Sequence, residues 1–450
     1  MNWRSAFSYV FGLAALLVAV STGHHNAFAA RSTGKVVAFQ TSVPYPIQHV
    51  FVIIQENRSV DNLWNGYCAP SGQCADTVTT DPYQSIPLTS VSLAANYDLC
   101  HAHSCFVSSY DNGRMDGFPT GGNTSYGFVP TAERTIYTAL ANQGVLIDEA
   151  FQMNQGPSWP SHQYLIAGQS GGAVSYAMLP GLGPGRLALA ENTGAGNCGD
   201  AATTLNFMPM TMPFPGTETN TVNPPCLEYP TIFDRLLAAG FSAASWSYYA
   251  RSSDDLWDAP PTVSHIWNSA SMMANVIVPS EAILTAIPGY SACTTPGAFT
   301  PRIIYVTPEK KDSDHPSEVN TATDGPAWVG SILNKIGACP GLWNTSAVIV
   351  LWDDWGGWYD HEQPPVNYFN PYEGGFRTPI MILSPYAKAG TIDHTIRTTG
   401  AILHFIEDIF GLQTLGTMDT QTDDLMTDFN MSASPLPTYS PVPIPSGFTP

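Results

Sequence analysis

Short runs of β-branched and other apolar residues recur along the chain, each bounded by polar or turn-forming residues. Runs of this kind are typical of strands buried in a sheet. They predict strands at Ile47–Gln55, Val145–Phe151, Phe241–Tyr249, Arg302–Val306, Ala347–Trp352 and Pro379–Leu383.

Helical patterns lie between several of these runs. Three of these patterns end just before a glycine, the residue most common at the C-terminal end of a helix. They are Tyr229–Ala239 before Gly240, Trp328–Ile336 before Gly337 and Thr398–Phe410 before Gly411. Alternating strands and helices predict an α/β fold with a mostly parallel central sheet sandwiched by helices.

The N-terminus has the pattern of a secretory signal peptide over residues 1–29. Arg4 precedes the apolar run Val10–Val20, and Ala27–Ala29 supplies a small-residue cleavage site. A membrane anchor, the alternative, needs a longer apolar run. We therefore expect a secreted or periplasmic protein without integral membrane association.

The remaining chain reads as one α/β domain over residues 30–431. Residues 180–228 are rich in Gly, Pro, Asn and Thr and are expected to form a loop excursion or a lid. Residues 432–450 are rich in Pro and Ser, a composition that favours extended conformations over a core. We expect this tail to lie along the surface or to be disordered.

The amino-acid composition argues against some classes of function. Apolar residues make up 44% of the chain and charged residues 12%, which favours a packed core over disorder. Acidic residues outnumber basic ones 36 to 16, for a net charge of −20, and this argues against a nucleic-acid partner. An anionic substrate would need a local cation, such as a metal ion, to offset this field.

The 8 cysteines fit an oxidising compartment. The pairs Cys68/Cys74 and Cys100/Cys105 are close enough in sequence to be local disulfides. Because eight cysteines allow about 105 connectivities, sequential pairing is one option among many. No C-x-x-C pair occurs, so disulfides are favoured over a zinc site.

Polar residues follow two of the predicted strands directly. Glu56 and Asn57 follow the first run, and Asp353 and Asp354 follow AVIVLW and precede a Gly-Gly pair. In parallel sheets, function gathers at the carboxyl ends of strands. These oxygen donors would suit one divalent cation, Ca²⁺ or Mg²⁺, although a solvated turn would use the same residues.

Ser158 lies in GPSWPSH, where a helix N-cap is expected, and Pro160 would occupy the first turn. Capping alone explains such a serine. The same position also faces the amide groups of a helix N-terminus, which bind phosphate, and a metal-activated hydroxyl there would be a nucleophile.

Several histidines lie in loops near this edge. His101 and His103 lie between Cys100 and Cys105, and His315 follows Asp314 just past the strand ending at Val306. They could act as general acids or as hydrogen-bond donors to the transition state. His361 could support Asp353 and Asp354 from a second layer of contacts.

Five motifs occur in order: HVFVIIQENRSVDNLWNGY, DLCHAHSCFVSSYDNGRMDGF, GPSWPSHQYLIAGQSGG, SDHPS and VLWDDWGGWYDH. With FRTPIMILSPYAKAG and GAILHFIEDIFGL they extend from about residue 47 to 412. The sequence resembles the bacterial and plant phosphoesterases that group non-specific phospholipase C with respiratory-burst-inhibiting acid phosphatases. These are relatives of the alkaline phosphatase and sulfatase superfamily.

The resemblance implies an alkaline phosphatase-like fold and a phosphoserine mechanism. Glu56, Asn57, Asp353 and Asp354 would bind one divalent metal ion, and Ser158 would be the nucleophile. His101 and His315 would act in phosphate binding or leaving-group protonation, and we favour His315 as the proton donor. We further expect His103, Asp314 and His162 to take part in substrate binding. The chain departs from the family pattern at Ser161-His162, where Asn-Arg is usual, and at Trp355, where a His is common.

The substrate class stays open at this point. The aromatic and Met residues around 207–214 and 246–273 could admit the acyl chains of a phospholipid, but such residues are more often core. A phosphate monoester is the equal alternative. Two other functions are a catalytically silent secreted binding protein and a sulfatase, and the latter is disfavoured because Ser158–His162 lacks the expected Arg.

Overall fold

The computed structural model describes a set of ranges within the chain. They are residues 45–178, 197–199, 203–207, 219–221, 225–252, 255–289, 293, 299–366, 368–370, 372–432 and 438–450. The predicted signal peptide over residues 1–29 and most of the predicted excursion over 180–228 lie outside them.

An 8-stranded sheet forms the centre of the fold, in the order β10-β9-β11-β1-β12-β13-β4-β14. Its strands are β1 His49–Gln55, β4 Val145–Ile147, β9 Trp246–Tyr249, β10 Val276–Ile277, β11 Ile303–Val306, β12 Ser346–Trp352, β13 Ile380–Leu383 and β14 Thr391–Asp393. Neighbours pair in parallel except at β13, which is antiparallel to both β12 and β4. The predicted mostly parallel sheet is confirmed.

The remaining strands form small sheets. They are β2 Thr89–Ser90, β3 Gly127–Phe128, β5 Ala150–Phe151, β6 Ala173–Met178, β7 Thr203–Phe207, β8 Thr219–Thr221 and β15 Arg397–Thr398. The α-helices are α1 Val60–Leu63, α2 His103–Tyr110, α3 Thr135–Ala141, α4 Ser158–Ala167, α5 Ile232–Ala238, α6 Ser264–Trp267, α7 Ala270–Met273, α8 Ile283–Ala286, α9 Asp324–Gly337, α10 Pro340–Trp343 and α11 Ala401–Phe410.

Helices cover both faces of the central sheet, as predicted. Along β1, Val50, Val52 and Ile54 pack into one core with side chains of α4, α5 and α11. Phe51 and Ile53 point the other way, into a second core with side chains of α3, α8 and α9. This alternation follows from the two-residue period of a strand, and burial on both faces explains why the strand is apolar throughout.

One predicted strand, Val145–Phe151, is divided in two. β4 belongs to the central sheet, whereas β5 pairs with β15 in another sheet. Between them lie Asp148 and Glu149, whose buried carboxylates pair with His394 and Arg377. The apolar run therefore breaks where two acidic side chains find partners.

The tail contributes to the second core within its described part, residues 438–450. Tyr439 and Val442 are buried there. Asn334 of α9 donates from its side-chain amide to the carbonyl of Val442 at 2.8 Å. The segment is thus fixed against α9.

Four disulfides pair the cysteines in sequence order: Cys68–Cys74, Cys100–Cys105, Cys198–Cys226 and Cys293–Cys339. Sequence spacing alone left this connectivity open. Across the ranges that the structure describes, none of the helices has the length and apolar character needed to span a bilayer.

Candidate active site

The ends of β1 and β12 place four oxygen-bearing residues side by side. The two strands are parallel, and Gln55 is the register partner of Trp352. The chain continues from one strand into Glu56 and Asn57, and from the other into Asp353 and Asp354. The amide of Asn57 donates to Asp353 Oδ1 at 3.1 Å, so the structure brings the predicted ligands together.

A sharp turn after β12 makes this approach possible. Gly356 has a φ of +61°, and a Cβ atom there would lie 2.5 Å from the carbonyl oxygen of Asn57. Asn57 itself has a φ of 62°, which asparagine tolerates better than most residues. The Gly-Gly pair noted in the sequence therefore allows the two strand-end loops to touch.

Ser158 is the first residue of α4, and Pro157 occupies the N-cap. The expectation that Ser158 is itself the N-cap was wrong by one position, and no side chain caps this helix. Its hydroxyl instead faces Glu56 Oε2 and Asp354 Oδ2, both at 3.1 Å, and Asn57 Oδ1 at 3.5 Å. Helix capping therefore does not explain this serine.

The residues around Ser158 fit a bound divalent cation. Glu56, Asp353 and Asp354 are buried together, and Asp353 Oδ2 has no hydrogen bond within the described part of the chain. Burial, with repulsion from the two aspartates, raises the pKa of Glu56 well above its ordinary value. A cation bound among these oxygens would relieve both the repulsion and the unsatisfied acceptor.

His162 lies on the other side of Glu56. Its Nε2 is 3.0 Å from Glu56 Oε1 and 3.6 Å from Asp353 Oδ2, and all three side chains are fully buried. Burial acts to raise the pKa of Asp353, but its interactions with His162, Ser158 and the Asn57 amide together outweigh burial and lower the pKa. The residue that replaces the usual Arg thus contacts two of the predicted metal ligands.

His101 and His315 face each other near Asn57. Their ring centroids are 6.1 Å apart, and His101 Nε2 is 3.4 Å from Asn57 Nδ2. His101 Nδ1 lies 2.7 Å from the carbonyl of Leu99, and His315 Nδ1 lies 2.7 Å from that of Pro316. Each carbonyl requires a proton on Nδ1 and so fixes the orientation of its ring.

The other predicted substrate residues have different surroundings. The ring of His103 packs edge-on against Tyr372, with centroids 5.2 Å apart. The Asp314 carboxylate accepts hydrogen bonds from the Tyr137 hydroxyl and the Trp352 indole, both at 2.8 Å. The Asp314 carboxylate is therefore hydrogen-bonded by two residues of the second core.

Arg58 and Trp257 are two contributors that sequence reasoning did not assign. The buried guanidinium of Arg58 donates to the carbonyl of Asp314 at 2.6 Å and so ties the β1 loop to the loop bearing His315. Trp257 packs against His315, with ring centroids 5.5 Å apart. The sequence signal for Arg58 was the Glu-Asn-Arg run. Trp257 lies in the aromatic stretch 246–273, but nothing in the sequence connected it with His315.

Only part of the predicted apolar entrance lies within the described residues. Residues 208–214 lie outside the described residues. Within 246–273, Trp246 and Trp257 are buried, so neither offers an open apolar surface.

His361 has a different partner from the one expected. Its Nδ1 lies 2.7 Å from Asp61 Oδ2, so it does not support Asp353 or Asp354 directly. Asp61 is in α1, immediately after the β1 loop.

Comparison with known families gives a match over most of the chain. The family model described as "Phosphoesterase family" matches residues 47–413. This range includes every residue of the site described above.

Two curated relatives are bacterial phospholipases. The chain is 22% identical over 414 residues to "Non-hemolytic phospholipase C" of Pseudomonas aeruginosa, covering 81% of this chain and 54% of the relative. It is 26% identical over 163 residues to "Phospholipase C B" of Mycobacterium tuberculosis, covering 30% and 31%. The chain thus spans about half the length, or less, of these relatives.

Among solved structures, the chain is similar to "a Protein in the Alkaline Phosphatase Superfamily from Vibrio parahaemolyticus". The identity is 11% and the TM-score 0.35, with 85% of this chain and 72% of that chain covered.

Proposed function

Because the chain belongs to the Phosphoesterase family, we propose that it is a secreted, metal-dependent hydrolase of phosphoric esters. The observation that carries the proposal is the position of Ser158. Its hydroxyl lies at the start of a helix, within 3.5 Å of oxygens from Glu56, Asn57 and Asp354. A nucleophile and a set of metal ligands thus share one buried site.

Glu56, Asn57, Asp353 and Asp354 would hold one divalent ion. Their donors are all oxygen atoms, the type that Ca²⁺ and Mg²⁺ prefer. When bound, such an ion lowers the pKa of a nearby hydroxyl and offsets the charge of phosphoryl oxygens. His162 orients two of these carboxylates through its Nε2.

Ser158 would attack phosphorus in line with the leaving oxygen. Its proton passes to a neighbouring carboxylate as the Oγ–P bond forms, and the bond from phosphorus to the leaving oxygen breaks. His315 donates a proton to that oxygen, and the product is a phosphoseryl ester. Water then gives a proton to His315 and attacks phosphorus, the P–Oγ bond breaks, the carboxylate returns its proton to Ser158, and the phosphorylated product leaves.

His315 is favoured over His101 as the proton donor because of their neighbours. His101 Nε2 lies at the side-chain amide of Asn57, one of the candidate ligands. His101 is therefore better placed to contact a phosphoryl oxygen or to fix the positions of the metal ligands. The ring of His315 packs on Trp257, which gives it an apolar wall on one side.

A phosphodiester of the phospholipase C type is the favoured substrate, since the curated relatives carry that name. A simple monoester, as used by an acid phosphatase, is the alternative. Secretion is supported by the N-terminal sequence pattern and by the 4 disulfides.

The test compares a chromogenic phosphorylcholine diester with a chromogenic phosphate monoester, using the purified protein with chelator and after adding a divalent metal. We expect metal-dependent hydrolysis, faster for the diester. Ser158→Ala should lower turnover by several orders of magnitude. Ser161→Ala, in the same helix turn, is the matched control.

Faster turnover of the monoester would make the protein a phosphatase and would contradict the diester preference. No hydrolysis of either substrate with metal present would favour the silent binding protein. Unchanged turnover in Ser158→Ala would refute the serine mechanism.

A further inference from the structure

A second group of metal-ligating side chains lies outside the candidate active site. His361, Asp76 and Glu362 each offer one ligand atom, and these atoms all lie within 4.8 Å of one another. We name these three residues the His361 cluster. Asp76 follows the Cys68–Cys74 disulfide, His361 ends the motif VLWDDWGGWYDH, and Glu362 comes directly after it.

The imidazole of His361 is fixed in the orientation that a metal-binding histidine needs. Asp61 Oδ2 lies 2.7 Å from Nδ1 and also accepts from the His361 amide at 2.8 Å. A carboxylate can approach a ring nitrogen this closely only if that nitrogen carries the proton. Carboxylate–histidine pairs of this kind orient the opposite nitrogen toward metal ions in zinc proteins.

The opposite nitrogen points into the cluster. His361 is only 9% exposed. Within the described part of the chain, the contacts of its Nε2 are with two carboxylates. This nitrogen is 3.3 Å from Glu362 Oε1 and 3.7 Å from Asp76 Oδ1. In a tetrahedral zinc site, with ligands about 2.0–2.1 Å from the ion, neighbouring ligand atoms are about 3.3 Å apart.

The backbone of Asp76 is held in place as well. Its amide donates to Asp148 Oδ2 at 2.7 Å, and Arg377 donates to its carbonyl at 3.1 Å. The two acidic side chains of the cluster are 51% and 41% exposed, so they can adjust by small rotations. A fixed imidazole and two adaptable carboxylates therefore face one point.

The surroundings carry an excess of negative charge. Arg377 pairs with Asp360 and Glu149, at 2.8 and 2.7 Å, and with Asp61 at 3.9 Å. One guanidinium thus faces three carboxylates before the two acids of the cluster are counted. A divalent cation would offset this charge.

The cluster borders an open depression of about 530 Å³, lined in part by Asp76, Glu149, Glu362 and His394. The depression gives an ion access from solvent and leaves room for water at a fourth ligand position. The Nδ1 of His394 is 2.9 Å from Asp148, so a second carboxylate-fixed imidazole lines the same depression.

We propose that the His361 cluster binds a zinc-class divalent cation, separate from the ion of the candidate active site. A nitrogen ligand with two carboxylates favours zinc over calcium or magnesium. The ion would tie the segment after the Cys68–Cys74 disulfide to the loop that carries Asp353 and Asp354. Its role is structural, since Ser158 is not among its neighbours.

The test titrates the chelator-treated full-length protein with Zn²⁺ in competition with a chromogenic chelator. The variant is the double substitution Asp76→Asn and Glu362→Gln, which keeps both side-chain shapes. The matched control is Glu228→Gln. Glu228 is an exposed acid beside His265, whose other ring nitrogen already contacts Asp234 at 3.0 Å.

We expect the double variant to lose one zinc equivalent, or to bind it at least tenfold more weakly, while Glu228→Gln matches the wild type. X-ray absorption at the zinc edge should show mixed nitrogen and oxygen ligands. Equal zinc stoichiometry and affinity in all three proteins would overturn the proposal. If the double variant fails to fold in chelator, Glu362→Gln alone provides the comparison. Phosphoester hydrolysis is not needed for either result.

Discussion

Gly356 is the position where a single methyl group should damage the candidate active site most directly. Its φ of +61° is costly for alanine, by about 1 kcal/mol. The new Cβ would also lie 2.5 Å from the carbonyl oxygen and 2.6 Å from the Cβ of Asn57. Ordinary carbon contacts are about 3.5–4.0 Å, so the overlap is about 1 Å and involves backbone that cannot rotate away.

We therefore expect Gly356→Ala to lower the free energy of unfolding by about 2–4 kcal/mol, adding overpacking to backbone strain. Asn57 would shift with its loop. Since a displacement of about 1 Å can cost about a hundredfold in activity, metal affinity and turnover should fall together. Urea unfolding measures the first effect, and metal titration with steady-state hydrolysis measures the second.

Gly411→Ala is the matched control. Gly411 has a φ of +63°, but a Cβ there would meet nothing within 4 Å. This variant should lose only about 1 kcal/mol and keep wild-type metal affinity. If Gly356→Ala and Gly411→Ala were equally stable and bound metal equally well, the inferred contact between the two strand-end loops would be refuted.

Three further predictions concern charge, burial and disulfides. Burial lowers the pKa of His49 to about 4, so below pH 6.5 the unfolded chain binds a proton that the folded protein does not. The free energy of unfolding should therefore fall by about 3 kcal/mol as the pH drops from 6.5 toward 4. His49→Gln should reduce this pH dependence, as measured by urea unfolding. Glu56→Gln should raise the melting temperature in chelator, because it removes a buried charge from a repelling cluster, and should abolish the melting shift on adding metal. Replacing Cys293–Cys339 by alanines should cost about 4 kcal/mol of stability, and replacing Cys100–Cys105 about 2, because their loops span 46 and 5 residues. Only the second replacement should slow turnover, since it frees the loop bearing His101; equal effects on turnover would contradict this.

The sequence predicted the central features of the fold because they depend on local patterns. Continuous apolar runs identified β1 and β12, and their shared carboxyl edge predicted that Glu56 and Asp353 would lie close together. The antiparallel direction of β13 had no such signal, since strand direction depends on how the chain crosses the sheet.

Other features depend on contacts between distant residues. The break between β4 and β5 follows from partners of Asp148 and Glu149 that lie more than 200 positions away. The contact between Asp61 and His361 joins residues 300 positions apart. Of these residues, only His361 was a candidate from the sequence, which predicted none of these contacts.

The measurement that tests the central claim most directly is to trap the covalent intermediate. The protein would be acid-quenched during turnover of its better phosphoester substrate, digested and mapped by mass spectrometry. The account predicts a phosphoryl group on Ser158, dependent on added metal and absent in Ser158→Ala. A phosphoryl group on another residue, with none on Ser158 under full turnover, would contradict it.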